Sequence, residues 1–118
     1  MDGDWTAMTT AYSGKLKELR GGAPDMMKGF ASLAQAALKP SALDVKTKEL
    51  IALAIAAATR CDPCIAFHAQ SAVKHGASRQ EVMEAMGMAV YMGAGPSVMY
   101  AAKAIEAFDE FQVPAASA

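Results

Sequence analysis

Five breaks that contain glycine, proline or both divide this chain into six segments in which apolar residues recur at helical spacing. Steps of three and four positions place apolar side chains on one face of an α-helix, whereas a half-buried strand alternates every second residue. No segment shows that alternation. The sequence therefore predicts an all-α fold, a single-domain bundle of about six helices. The breaks are Gly21-Gly22, Pro40, Cys61–Pro63, Gly76 and Gly93–Pro96.

Residues typical of helix ends define these segments more closely. Asp44 is a good N-cap, and Gly76 suits a left-handed position after a helix. Ser78 and Glu81 have the spacing of a capping box, and Gly21-Gly22 is expected to end the first helix. Beyond Glu49 the third helix is apolar nearly all round, so we expect it to be central and buried. The predicted helices span about 5–20, 24–38, 44–59, 61–75, 79–92 and 97–111.

Length and composition restrict the class of protein. A chain of 118 residues is one domain, which we divide into an N-terminal segment with the first helix (1–23) and a helical domain (24–112). The net charge is −1 without a basic stripe, so nucleic acid is not an expected partner. No apolar run reaches the ~18 residues that span a bilayer, and the N-terminus lacks the pattern of a secretory signal. We therefore expect a cytoplasmic protein without a membrane segment, and its 53% apolar content favours a homo-oligomer.

Two cysteines and a histidine share one face of the predicted fourth helix. Cys61, Cys64 and His68 are offset by 0, 3 and 7 residues, which spreads them over only about 60° at 3.6 residues per turn. The two sulfur atoms could form a disulfide, and the positive end of the helix dipole stabilises a thiolate. His68 can exchange a proton with a thiol one turn away. By position alone either cysteine could be the nucleophile, although Cys61 is expected to be nearer the helix tip and more exposed.

Glu49 is the fourth member of this candidate site. If the third and fourth helices form an antiparallel hairpin with its turn near residue 60, Glu49 faces about residue 71. That position is within one helical turn, ~5.4 Å, of His68. A carboxylate there can orient the imidazole or act as a base through water. The sequence therefore predicts a dithiol with a glutamate and histidine beside it.

Other interpretations of the same residues remain open. The Cys-x-x-Cys pair could be inert packing, and the two thiolates with His68 and Glu49 could form a four-ligand zinc site. Structural zinc sites more often use two separated ligand pairs, which makes this set atypical. His68 alone would suit a core histidine, and Glu49 alone would suit a solvated charge. Their joint register with both cysteines favours catalysis.

The pattern resembles the AhpD-like branch of the carboxymuconolactone decarboxylase superfamily. The spacing Glu-x11-Cys-x-x-Cys-x-x-x-His of residues 49 to 68 is its most specific part. The resemblance covers roughly residues 24–106, most of the chain. The segments that carry it are Lys48–Ala54, Cys61–Ile65 with His68, His75–Ser78, Glu81-Val82 with Glu84-Ala85, and Gly93–Pro96 followed by Tyr100-Ala101.

The resemblance implies an alkylhydroperoxidase-type thiol peroxidase that needs no metal or organic cofactor. It assigns Cys64 as the peroxidatic thiol, Cys61 as the resolving thiol, and His68 with Glu49 as the proton relay. Its implied partners are a hydroperoxide substrate and a dithiol reductant, such as a lipoyl-carrying or thioredoxin-like protein. It also implies a trimer or a hexamer. Pro63 stands where peroxidase members of the family can carry a histidine, so that relay member is missing here.

Two other enzyme classes fit the same residues. A general disulfide oxidoreductase would use the dithiol for exchange with protein disulfides, with little peroxide turnover. A lactone acid decarboxylase of the carboxymuconolactone type would depend on His68 and Glu49 and would survive loss of both cysteines. The Cys-x-x-Cys pair favours thiol chemistry over the decarboxylase.

Overall fold

The computed structural model describes residues 4–113 as a bundle of six α-helices, which confirms the all-α prediction. No strand occurs in this part of the chain. None of the six helices is both long and apolar enough to cross a membrane. Each helix begins and ends within two residues of its predicted bounds. The helices are α1 (Asp4–Gly22), α2 (Pro24–Leu38), α3 (Val45–Ala58), α4 (Asp62–Lys74), α5 (Arg79–Gly93) and α6 (Pro96–Gln112).

The predicted end signals act as expected at three helix ends. The Asp44 carboxylate accepts a hydrogen bond from the Thr47 amide at 2.8 Å and caps α3. Ser78 and Glu81 form a complete capping box at the start of α5. Gly76, after α4, has a φ of 82°, a left-handed conformation that glycine adopts without steric cost.

The first helix ends at the predicted glycine pair. Gly21 and Gly22 are its last two residues, and α2 begins after the single residue Ala23. The Ala23 amide still donates to the Leu19 carbonyl at 2.8 Å, so the α1 ladder runs through both glycines. The chain turns because Ala23 leaves the helical region, with φ −136° and ψ 64°, and because Pro24 has no amide hydrogen to continue the ladder.

The core lies among α3, α4, α5 and α6, with α1 packed across one side. Alanines occupy much of it, which lets the helices approach closely around a few large side chains. Trp5 of α1 belongs to the same core, and its indole Nε1 donates to Glu106 at 2.7 Å. The large side chains that are fully buried include Leu53, Ile65, Val82 and Phe108.

The third helix is central but not buried all round, contrary to the prediction. Leu53, Ala56 and Ala57 face the core, whereas Ile51 and Ile55 are 45% and 57% exposed. These isoleucines line an open apolar groove of about 320 Å³ between α3 and α5. An apolar run in the sequence does not show whether a helix face is covered by other helices of the same chain or is left exposed.

Candidate active site

The α3–α4 hairpin brings the predicted site residues together. Arg60 adopts a left-handed conformation, φ 61°, at the end of α3. The Cys61 amide then donates to the Ala56 carbonyl at 3.1 Å, which anchors the start of α4 to the last turn of α3. The two helices therefore run antiparallel from a turn at residue 60, the arrangement assumed in placing Glu49.

Cys61 and Cys64 are joined by a disulfide at the N-terminus of α4. Their Cα atoms are 5.2 Å apart, inside the ordinary range for a disulfide. Cys61 is the N-cap residue, and its Sγ lies 3.2 Å from the Cys64 amide as hydrogen-bond acceptor. Pro63 fits in the first turn, where its missing amide hydrogen is not needed. The backbone at the start of α4 therefore holds the two cysteines within disulfide distance.

The exposure of the two cysteines is the reverse of the prediction. Cys64 is exposed and Cys61 is half-buried. Cys61 precedes the helix, and the hydrogen bond from its backbone amide to the Ala56 carbonyl holds it against the end of α3. This contact leaves less of Cys61 exposed. Helix position alone suggests that the tip residue is more open, but the preceding helix covers it.

Glu49 is buried, and its carboxylate is held by two residues of α4. The residue is 3% exposed. Its Oε1 lies 2.6 Å from His68 Nδ1, and its Oε2 accepts a hydrogen bond from Ser71 Oγ at 2.8 Å. The predicted register placed Glu49 opposite residue 71, and Ser71 is one of the two residues that it contacts. A buried carboxylate with both oxygens hydrogen-bonded is compensated rather than isolated.

The bond between Glu49 and His68 defines which ring nitrogen is available. A carboxylate can only accept, so His68 Nδ1 carries the hydrogen in this pair. Nε2 is then the nitrogen free to take or give a proton. The His68 side chain is 35% exposed, against 4% for Glu49, so the imidazole lies between a buried carboxylate and the surface.

An ion pair beside the dithiol was not predicted. Lys103 of α6 lies 2.9 Å from the Asp62 carboxylate and 4.6 Å from the centre of the Tyr100 ring. The hydrogen bond to Asp62 raises the pKa of Lys103 above its usual range. Asp62 lies between the two cysteines in sequence, so this lysine partly neutralises a negative charge of the Cys-x-x-Cys segment. The two residues are 41 positions apart in the sequence, and no local pattern marks such a contact.

The four residues of the alternative zinc interpretation are otherwise engaged in this arrangement. The sulfur atoms of Cys61 and Cys64 are bonded to each other, and Glu49 is engaged with His68 and Ser71. Within residues 4–113, no three His, Cys, Asp or Glu side chains are arranged to hold a metal ion. The geometry instead combines a disulfide with a hydrogen-bonded glutamate–histidine pair.

Known sequences match this chain over most of its length. A sequence model of the carboxymuconolactone decarboxylase family matches residues 24–107. An uncharacterized protein of Cupriavidus necator is 40% identical over 86 residues, covering 73% of this chain and 76% of its own length. An uncharacterized protein of Haemophilus influenzae is 42% identical over 105 residues, covering 89% of this chain and 93% of its own length.

Solved structures show the same fold. A carboxymuconolactone decarboxylase family protein from Legionella pneumophila superposes with a TM-score of 0.92 at 53% identity, covering 94% of this chain and 99% of that chain. A family member from Thermotoga maritima, for which a role in an antioxidative response has been suggested, superposes with a TM-score of 0.79 at 32% identity. That match covers 88% of this chain and 89% of the Thermotoga chain.

Proposed function

Because the chain belongs to the carboxymuconolactone decarboxylase family, we propose that it is an AhpD-like thiol peroxidase that reduces organic hydroperoxides. One observation carries this proposal: a cysteine pair within disulfide distance shares a helix with His68, whose imidazole is hydrogen-bonded to the buried Glu49. A thiol peroxidase needs a nucleophilic thiolate, a second thiol to resolve it and a group that moves protons. All of these groups lie in one hairpin.

The oxidative step begins at Cys64. Glu49, through His68 or a water, removes the Cys64 proton. The thiolate attacks the terminal oxygen of the hydroperoxide, an S–O bond forms and the O–O bond breaks. The leaving alkoxide takes the proton back and departs as an alcohol, and Cys64 is left as a sulfenic acid.

Cys61 completes the cycle. Its sulfur attacks the Cys64 sulfenic acid, the S–S bond forms, and the hydroxyl leaves as water with the Cys61 proton. A dithiol donor, such as a lipoyl-carrying or thioredoxin-like protein, then restores both thiols by exchange and becomes a disulfide itself. Cys64 is exposed and Cys61 is half-buried, so the accessible sulfur of the disulfide is that of Cys64 and not, as helix position suggested, that of Cys61.

Two observations support thiol redox chemistry over the other family activities. The cysteines already lie where a disulfide forms, with Cα atoms 5.2 Å apart. The Thermotoga maritima relative has a suggested role in an antioxidative response. Both fit an enzyme that cycles between dithiol and disulfide. A lactone decarboxylase would need neither a cysteine pair nor a role in an antioxidative response.

The test is a stopped-flow thiol titration of the reduced protein with cumene hydroperoxide, using wild type, Cys64→Ser and Cys61→Ser. We expect wild type to lose two thiols per chain and Cys64→Ser to lose none. Cys61→Ser should stop at a sulfenic acid that dimedone traps on Cys64. Full peroxide turnover by Cys64→Ser, or no thiol loss in wild type, would overturn the proposal.

General disulfide exchange is the second candidate, and the exposure of Cys64 favours it. An exposed sulfur in a disulfide can meet a protein thiol directly, without a pocket for a small substrate. In that case the reduced protein would react slowly with cumene hydroperoxide and rapidly with a scrambled protein disulfide. The two rates, measured on the same preparation, separate the two functions.

A further inference from the structure

Helix α4 presents three polar side chains along the stripe that includes the Glu49 contact. His68, Ser71 and His75 are three and four residues apart, which keeps them within about 60° of one another around the helix. His68 has a place in the proposed relay. Ser71 and His75 have none so far.

Ser71 holds the second oxygen of the Glu49 carboxylate. Its hydroxyl donates to Oε2 at 2.8 Å, while His68 Nδ1 lies 2.6 Å from Oε1. The terminal torsion of a glutamate side chain is broad and has no strong preference of its own. Hydrogen bonds to both oxygens therefore select one orientation of the carboxylate, and Ser71 supplies one of them.

His75 leaves the Ser71 hydroxyl free to make that bond. His75 Nδ1 lies 2.9 Å from the Ser71 carbonyl oxygen, which can only accept, so Nδ1 carries a hydrogen. The same nitrogen is 3.4 Å from Ser71 Oγ and, being protonated, does not compete for the hydroxyl hydrogen. The single hydrogen of Ser71 is directed to Glu49 instead.

We propose that Ser71 is a positioning residue, which orients Glu49 so that its Oε1 accepts from His68 Nδ1. This holds His68 in the form whose Nε2 is free for proton exchange. The proposal rests on the proposed function for its effect on rate, because that effect requires peroxide turnover. Its effect on the His68 ring is independent of any activity.

The experiment compares wild type, Ser71→Ala and Ser71→Thr, with Ser32→Ala on the exposed face of α2 as the matched control. Nitrogen NMR of the His68 ring reports which nitrogen carries the hydrogen. We expect wild type, Ser71→Thr and Ser32→Ala to show the Nδ1–H form, and Ser71→Ala to show a mixture. Thiol loss with cumene hydroperoxide should slow roughly tenfold in Ser71→Ala alone, the scale of one hydrogen bond to a charged group.

Alanine favours helix more than serine does, so Ser71→Ala is expected to fold. An unchanged His68 spectrum in Ser71→Ala would overturn the positioning role. So would a Ser71→Thr variant that behaves like Ser71→Ala, because the effect would then come from packing and not from the hydroxyl. If wild type has no peroxide turnover, the proposed function fails while the His68 spectra still decide the role of Ser71.

Discussion

Glu49 and His68, on neighbouring antiparallel helices, form a hydrogen bond of 2.6 Å in which the carboxylate is buried and the imidazole reaches the surface. Burial keeps water from competing for hydrogen bonds to Glu49. The imidazole shares a face of α4 with the two cysteines, so it is the group through which Glu49 could exchange a proton with them. Both oxygens of this buried carboxylate are hydrogen-bonded, one of them to the histidine. The pair is the feature of this structure that most favours the proposed catalytic role over a purely structural disulfide.

Replacement of Glu49 by glutamine should abolish most peroxide-dependent thiol loss and keep the fold. Glutamine has the same shape but cannot act as a base, and general acid–base assistance is commonly worth about 10²–10⁴-fold. The rate should be measured by stopped-flow thiol titration at neutral pH, with circular dichroism to confirm folding. Glu84→Gln, the same change at an exposed position of α5, is the control and should react like wild type. A Glu49→Gln rate within a few-fold of wild type would remove Glu49 from the proposed relay.

The position of Glu49 was predictable because it depends on few assumptions. An antiparallel hairpin with its turn near residue 60 places residue 49 opposite residue 71, and Ser71 does contact Glu49. The helix bounds were predictable for a similar reason, since capping residues such as Asp44 and the Ser78–Glu81 box act within a single turn.

Contacts between distant parts of the chain were not predictable. The Lys103–Asp62 ion pair joins α6 to α4, and nothing in either local sequence indicates which helices become neighbours. The partial burial of Cys61 and the exposure of Ile55 also depend on which helices become neighbours, which the local sequence does not indicate. Periodicity states which residues share a face of a helix, but the packing of the other helices decides whether that face is covered.

Removal of the Lys103 charge should slow the reaction of the reduced cysteines with iodoacetamide. In Lys103→Met, the Asp62 carboxylate loses its partner and disfavours a thiolate at Cys61 and Cys64. We expect the rate at neutral pH to fall about two- to fivefold, which corresponds to the ~0.5–1 kcal/mol of a partly exposed ion pair. Asp62→Asn in the same chain should restore the wild-type rate, and Lys74→Met, at the other end of α4, should have no effect. Failure of Asp62→Asn to restore the rate would mean that Lys103 acts by another route.

Gly93→Ala should destabilise the junction of α5 and α6. A Cβ atom at Gly93 would lie 2.1 Å from Ser97 Oγ and 3.3 Å from the Ala58 Cα, and Ser97 is fully buried. Overpacking of this kind commonly costs about 1–3 kcal/mol. Ser97→Ala in the same chain removes the closest atom and should recover part of the loss. Urea unfolding measures both effects.

Gly87→Ala is the control for that experiment. Gly87 lies in the interior of α5, and no atom outside its own stretch of helix lies within 4 Å of an added Cβ. Alanine there should stabilise the protein by about 0.5–1 kcal/mol through helix propensity. Equal stability of Gly93→Ala and Gly87→Ala would mean that Gly93 does not lie as close to Ser97 as the structure places it.

Acid should weaken the fold through the helix-capping carboxylates. Hydrogen bonds from Thr47 lower the pKa of Asp44 below its ordinary value of 3.8, and the Ser78 amide with Lys46 lowers the pKa of Glu81 below 4.5. Since both pKa values are lower in the folded state, the stabilisation is present above the ordinary values and is lost as the pH falls through the lowered ones. Glu81→Ala should therefore differ most from wild type in free energy of unfolding at neutral pH and least in acid. A difference that stays constant from pH 7 to pH 3 would contradict this origin.

The open apolar faces predict that the protein assembles with copies of itself. Ile55 and Met92 line the groove between α3 and α5 and are 57% and 75% exposed, and Phe30 on α2 is 59% exposed. Large exposed apolar surfaces of this kind usually mark an interaction site. The family resemblance implies a trimer or a hexamer, so we expect light scattering to give three or six times the 12.3 kDa chain mass. Ile55→Asp should lower this mass because an interface would have to bury the new charge. Val113→Asp, at the end of α6, is the matched control and should keep the assembly. A monomeric wild type would show instead that these faces serve another partner or none.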